Sequence, residues 1–158
     1  METDLTSILI GLASLATFFI PIGLYQFSQK RKTKQTEKAF LNAAAKHRLS
    51  INKHEILRNG IAIGIDGSKQ TLLHVIGNES RIIRLSTVAN IKSYKSLKKE
   101  DVEDGSHINI QETGIHIHLQ NQGAVKVPVF RGKEGSTLGD ETRIAERWIR
   151  TIRETRNQ

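Results

Sequence analysis

The sequence predicts an α+β protein: a single N-terminal transmembrane helix, then a small, mostly antiparallel β-sandwich or barrel closed by a C-terminal amphipathic helix. Three observations predict it. An uncharged run fills residues 5–27, short alternating segments occupy residues 51–130, and apolar residues recur with helical period beyond Asp140. The implied division is a short extracytoplasmic tail at 1–4, the membrane helix at 5–27 and a basic juxtamembrane linker at 28–36. A helix at 37–49 follows, then a β domain at 50–158 whose last helix covers about 140–156.

The 23 residues from Leu5 to Phe27 carry no charge. As a helix they measure roughly 34 Å, enough to cross a hydrocarbon core of about 30 Å. A lipid-exposed segment has to satisfy its own backbone, and a helix does so. A cleavable signal would begin with basic residues, whereas this chain begins with Glu2 and Asp4 and places Lys30, Arg31, Lys32 and Lys34 after the run. The positive-inside rule then puts the basic side in the cytoplasm. The expectation is a single-pass protein of the cell inner membrane, N-terminus outside and C-terminal domain cytoplasmic.

The absence of cysteine removes disulfide and thiolate chemistry. The net charge of +8 raises the question of nucleic acid, but much of the excess flanks the apolar run or sits on the last helix. Basic residues beside a bilayer contact anionic lipid, so Lys30, Arg31, Lys32 and Lys34 are the candidate headgroup contacts. No aromatic platform for single strands is visible, and no nucleic-acid partner is expected.

The linker "QKRKTKQTEK" can carry the membrane helix into water or break at Ser28 to Lys34. In "TEKAFLNAAAKHRL", Thr36 is the cap of a new helix, with Phe40, Leu41, Ala44, Ala45 and Leu49 at helical spacing. From Ile51 the period becomes two. "NGIAIGID", "TLLHVIG", "RIIRL" and "STVANIKSY" read as strands of an antiparallel meander, with Asp66–Gly67 at a turn. "KKEDVEDGSH" reads as a charged loop with its corner at Asp104–Gly105. "HINIQETGIHIHL" reads as a hairpin about Thr113–Gly114, Gly114 supplying positive φ, because that register puts every aliphatic residue on one face. In "AVKVPVF", Pro128 marks an edge or a strand end.

The closing segment "GDETRIAERWIRTIRETRNQ" starts at Asp140, a cap that with Glu141 offsets the helix dipole. Ile144, Ala145, Trp148, Ile149 and Ile152 make the apolar arc, and Trp148 has the bulk to cover the open end of a sandwich. Arg143, Arg147 and Arg150 line the other arc, and Arg147 and Arg150 are further candidates for lipid contact. "DETRIAERWIRTIRE" resembles the closing helix of pleckstrin-homology (PH) domains, with Trp148 facing the core and Ile152 one turn later. With "NGIAIGIDGSKQTLLHVI" as a first hairpin, the chain resembles uncharacterised bacterial proteins that join a membrane helix to a PH-like cytosolic domain. Phosphoinositide-binding members carry several cations on and between the first two strands. "HEILRNGIAIGIDG" offers only Arg58, so that specificity is not implied.

Chemical motifs are few. His116 and His118 share a face, but a metal needs three or four ligands and only Asn109 and Gln111 stand opposite in the expected hairpin. There is no G-x-S-x-G elbow, and "GKEGSTLGD" lacks phosphate-loop spacing. No cofactor, metal or catalytic residue is expected. The leading reading is a non-enzymatic, membrane-anchored adaptor that engages a membrane or cytosolic protein. The alternatives are an electrostatic sensor of anionic lipid and a membrane-tethered enzyme whose pocket motif reading does not reveal.

Overall fold

The computed structural model describes residues 17, 20, 28, 30–102, 105–120, 123–132 and 140–157. The expected tail at 1–4, all but two positions of the expected span at 5–27, and the connection at 133–139 lie outside the described residues. Among the described residues no helix is long and apolar enough to cross a membrane.

Residues 17, 20 and 28 are helical, and helix α1 occupies residues 30–46. The basic linker thus belongs to a helix. Thr36 is not a cap but lies within α1, buried, its hydroxyl donating to the Lys32 carbonyl one turn back at 2.9 Å. The helix stops at 46 rather than 49 because Arg48 turns left-handed (φ 53°), which lets Arg48 and Leu49 donate backward to Ala45 and Ala44 at 3.0 and 2.9 Å.

Among the described residues seven strands follow: β1 Lys53–Ile56, β2 Ile61–Asp66, β3 Thr71–Ile76, β4 Glu79–Arg84, β5 Val88–Val102, β6 Gly105–Leu119 and β7 Gly123–Arg131, then helix α2 Asp140–Arg156. They form two antiparallel sheets, β1-β2-β3-β4 and β5-β6-β7. The sheets do not join into a closed barrel; the arrangement is a sandwich.

The four-stranded sheet is covered on both faces. On one, Phe40, Ala43 and Ala44 of α1 pack on Ala62, Leu73 and Val75. On the other, Ile63, Ile65, Leu72 and Ile83 meet Ile115, Ile117 and Val127 of the second sheet, and Ala145, Trp148, Ile149 and Ile152 of α2 close that core. Trp148 is 2 % exposed, as its size foretold.

The expected hairpin at Thr113–Gly114 is absent. β6 runs straight through it, and the charged stretch before it is also paired, up to Val102 opposite Gly105. The aliphatic residues do change parity, from Ile108 and Ile110 to Ile115 and Ile117, but a register shift produces the change. Ser96 faces Glu112 and Leu97 faces Ile110, so Gln111 is an extra residue. A bulge flips the faces just as a tight turn would. Gly114 is needed for space rather than for positive φ: a Cβ there would sit 2.4 Å from the Val127 carbonyl oxygen.

Gly64 plays a similar part beneath α1, where an added Cβ would meet Phe40 Cζ at 2.5 Å. Gly64→Ala is therefore expected to cost about 1–3 kcal/mol by forcing α1 off the sheet. Urea unfolding of the full chain in detergent measures it; an unchanged midpoint would refute this packing.

Candidate functional site

Two sheets that stay separate leave strand edges, and an edge strand carries unpaired backbone groups. Both edges of the three-stranded sheet are met by side chains. Along β7 the carbonyls of Lys126, Pro128 and Arg131 receive Arg81 Nη1 at 3.4 Å, His74 Nε2 at 2.8 Å and the Asn59 amide. Pro128, with no N–H to satisfy, suits that position. Along β5 the carbonyls of Val88 and Ile91 receive Arg156 and Arg153 of α2, both at 3.1 Å.

Beyond Ile91 the β5 edge is open. Among the described residues no strand pairs with its outer side. Because the Ile91 carbonyl points outward, alternation turns the backbone groups of Ser93 and Lys95 the same way. Beside this edge lies a groove of about 630 Å³ lined by Ile91, Lys92, Ser93, Glu146, Ile149, Arg150 and Arg153. Its floor is apolar at Ile91 and Ile149, both buried, and its rim holds three cations against one carboxylate.

The residues singled out from sequence are spread over three places. Lys30, Arg31, Lys32 and Lys34 are exposed on the first turns of α1. Lys32 borders a groove of about 460 Å³ shared with the β1–β2 loop at Leu57, Asn59 and Gly60 and the β3–β4 turn at Gly77 and Asn78. His116 and His118 lie side by side on the outer face of β6, ring centroids 4.6 Å apart, with Tyr94 6.3 Å from His116. They are flanked in register by Lys92 and Asn90 on β5 and by Lys126 and Ala124 on β7. Among the described residues no group of three metal-ligating side chains forms. Arg147 is structural: both its bonds go to Glu55, at 2.6 and 2.7 Å, and Trp148 Nε1 donates to the same carboxylate at 2.8 Å. Arg150 alone of these candidates lines the β5 groove.

Sequence reading missed Lys92, Ser93 and Arg153, because the groove joins segments some 60 residues apart. It also missed the cluster on the outer face, where Glu112 accepts from the Tyr94 hydroxyl and from Arg131 Nε at 2.7 Å, and Lys126 lies 5.5 Å from the Tyr94 ring centroid. Burial by itself would raise the Glu112 carboxyl, but those two hydrogen bonds and the charges of Arg131 and Lys126 outweigh it and hold Glu112 below the usual range. Burial, then the bond to Glu112, pushes the Tyr94 hydroxyl up. No family model, characterised protein or solved structure matches the chain. The site stands on its geometry.

Burial, with Arg81 and Arg131 nearby, lowers the His74 imidazole from 6.5 to about 4, so it stays neutral and donates to the Pro128 carbonyl. The unfolded chain binds a proton there that the fold rejects. This contribution to stability is complete above about pH 6.5 and is lost as pH falls toward 4. Its full size is about 3 kcal/mol. His74→Gln can retain a donor but not the titration, and is expected to flatten the loss of stability between those values. Unfolding curves from pH 7 to pH 4 test this, and an unaltered slope would contradict it.

Proposed function

We propose that the chain is a single-pass protein of the inner membrane, anchored by residues 5–27, whose cytosolic domain is a binding module without catalysis. On this reading it takes an extended, acidic segment of a protein partner along the open edge of β5. The observation that carries the reading is that edge itself, with unpaired backbone beside an apolar floor and the cations Lys92, Arg150 and Arg153. Strand addition uses main-chain hydrogen bonds for affinity and flanking side chains for selection. The order of four strands, three strands and a closing helix around Trp148 supports the likeness to PH-like domains, a fold that hosts peptide and lipid recognition alike.

A second reading has one observation in its favour. Lys30, Arg31, Lys32 and Lys34 sit exposed on α1, directly after the apolar run, together with the loops that border Lys32. Anionic lipid is the partner they fit, each contact contributing about 1 kcal/mol near the surface.

A labelled peptide of alternating Val and Glu, titrated into the full chain in neutral detergent, separates the two. Saturable binding that weakens with salt and exceeds that of a Val–Lys peptide at least tenfold is expected. Lys92→Glu with Arg150→Glu should abolish the preference. Ser93→Pro, which removes an outward N–H while sparing the β5–β6 ladder, should weaken binding about tenfold with little change in unfolding midpoint. Equal affinity for both peptides, or full affinity in both variants, would sink the groove reading. Replacing Lys30, Lys32 and Lys34 by Gln should leave peptide binding intact but remove salt-sensitive binding to vesicles of anionic lipid; loss of peptide binding there would move the peptide contact from the β5 edge to α1.

A further inference from the structure

Where β3, β4 and β7 meet, a cavity of about 130 Å³ is lined by His74, Ile76, Glu79, Ser80, Arg81, Lys126, Pro128 and Arg131. It lies on the opposite edge of the second sheet from the β5 groove, and nothing in the proposed function uses it. It is small and open on one side, with room for one tetrahedral group.

The chemistry of its wall is one-sided. Three cations, Arg81, Lys126 and Arg131, line it against the single carboxylate of Glu79. Each cation keeps capacity to spare. Arg81 commits Nη1 to the Lys126 carbonyl at 3.4 Å, a long bond that leaves its other donors. Arg131 commits Nε to Glu112, leaving its two terminal nitrogens. Lys126 rests over the Tyr94 ring and makes no ion pair among the described residues. Even with Glu112 counted beside Arg131, the neighbourhood carries net positive charge.

One side of the cavity is fixed: His74, 4 % exposed, is held by its bond to Pro128, and the Arg131 carbonyl of β7 is held by Asn59 of the β1–β2 loop. Cations at separate points around a small pocket favour an oxyanion with oxygens in several directions, and guanidinium groups bind such oxygens in pairs.

We propose that this cavity is a binding site for a phosphate-class oxyanion, taken either as free phosphate or as a phosphomonoester on a lipid headgroup. The proposal is independent of the peptide groove and of the membrane reading.

Inorganic phosphate is titrated into the full chain in neutral detergent, with chloride at equal ionic strength as the control. The ring resonance of His74, assigned by its loss in His74→Gln, reports occupancy. A saturable phosphate-specific shift is expected, weakened at least fivefold by Arg81→Gln and by Lys126→Gln, neither of which removes a buried group. No saturation beyond the chloride response, or unchanged affinity in both variants, would overturn the site. Repeating the titration in nanodiscs containing phosphatidic acid assigns the source. Prior saturation supports the headgroup, and an undiminished phosphate response supports the free ion.

Discussion

The structure depends on one requirement: strand edges of two sheets that never join need partners for their outward carbonyls. A closed barrel would meet it by pairing. This sandwich meets it with side-chain donors sent from one layer to the edge of another. His74 and Arg81 of the four-stranded sheet and Asn59 of its β1–β2 loop reach β7, and Arg153 and Arg156 reach from α2 to β5. Each such bond adds about 1 kcal/mol, but leaving the carbonyl buried and unpaired costs more. The bonds therefore fix how the layers sit, because a slide by one residue would strand several acceptors at once. The β4 edge is treated differently: its positions are mostly exposed, and Glu79, Arg81 and Arg84 discourage further pairing.

The closing helix adds a second cross-layer tie. Glu55 on β1 accepts from Trp148 Nε1 and from Arg147, so the indole satisfies its polar atom while the ring fills the core. That one carboxylate links β1, the helix face and the core. Lys53, two residues earlier, donates to Thr151 at 3.0 Å. The apolar arc of α2 supplies attraction without direction, and these polar bonds choose its rotation. That rotation in turn decides which arginines reach β5 and which line the groove.

Much of this was legible in the residues. The period-two runs located β2, β3, β4, the first part of β5 and β7, but not β1; Asp66–Gly67 marked the turn between β2 and β3, Pro128 the edge strand, and Trp148 the buried face of α2. What failed did so for identifiable reasons. The parity change between Ile110 and Ile115 has two structural solutions, a turn or a bulge, and local pattern cannot separate them. Only the presence of β5 and β7 on either side of β6, a tertiary fact, selects the bulge. Thr36 has the chemistry of a cap, yet continuation of the helix upstream leaves no free N–H for it to accept, and its hydroxyl turns back to Lys32. The groove and the seam were illegible for another reason. Neither has a sequence signature, since Ile91 and Arg153, or His74 and Pro128, become neighbours only when layers pack.

The two edges of the three-stranded sheet are capped unequally, and the difference has a physical reading. β7 has donors along most of its length, because it crosses the face of another sheet and would otherwise bury carbonyls. One of those donors, Arg81, is charged, and with Lys126 and Arg131 of β7 itself it concentrates positive charge there. Among the described residues β5 is capped only at Val88 and Ile91, where α2 ends over it. From Ser93 onward the strand faces water, and water satisfies its backbone without any protein donor. An open edge of that length invites aggregation unless something opposes nonspecific pairing. Lys92 and Lys95 on the strand and Arg150 on the helix do so by charge. The same charges that repel another basic strand would attract an acidic one, so a device against aggregation is also, without further residues, a filter for a partner.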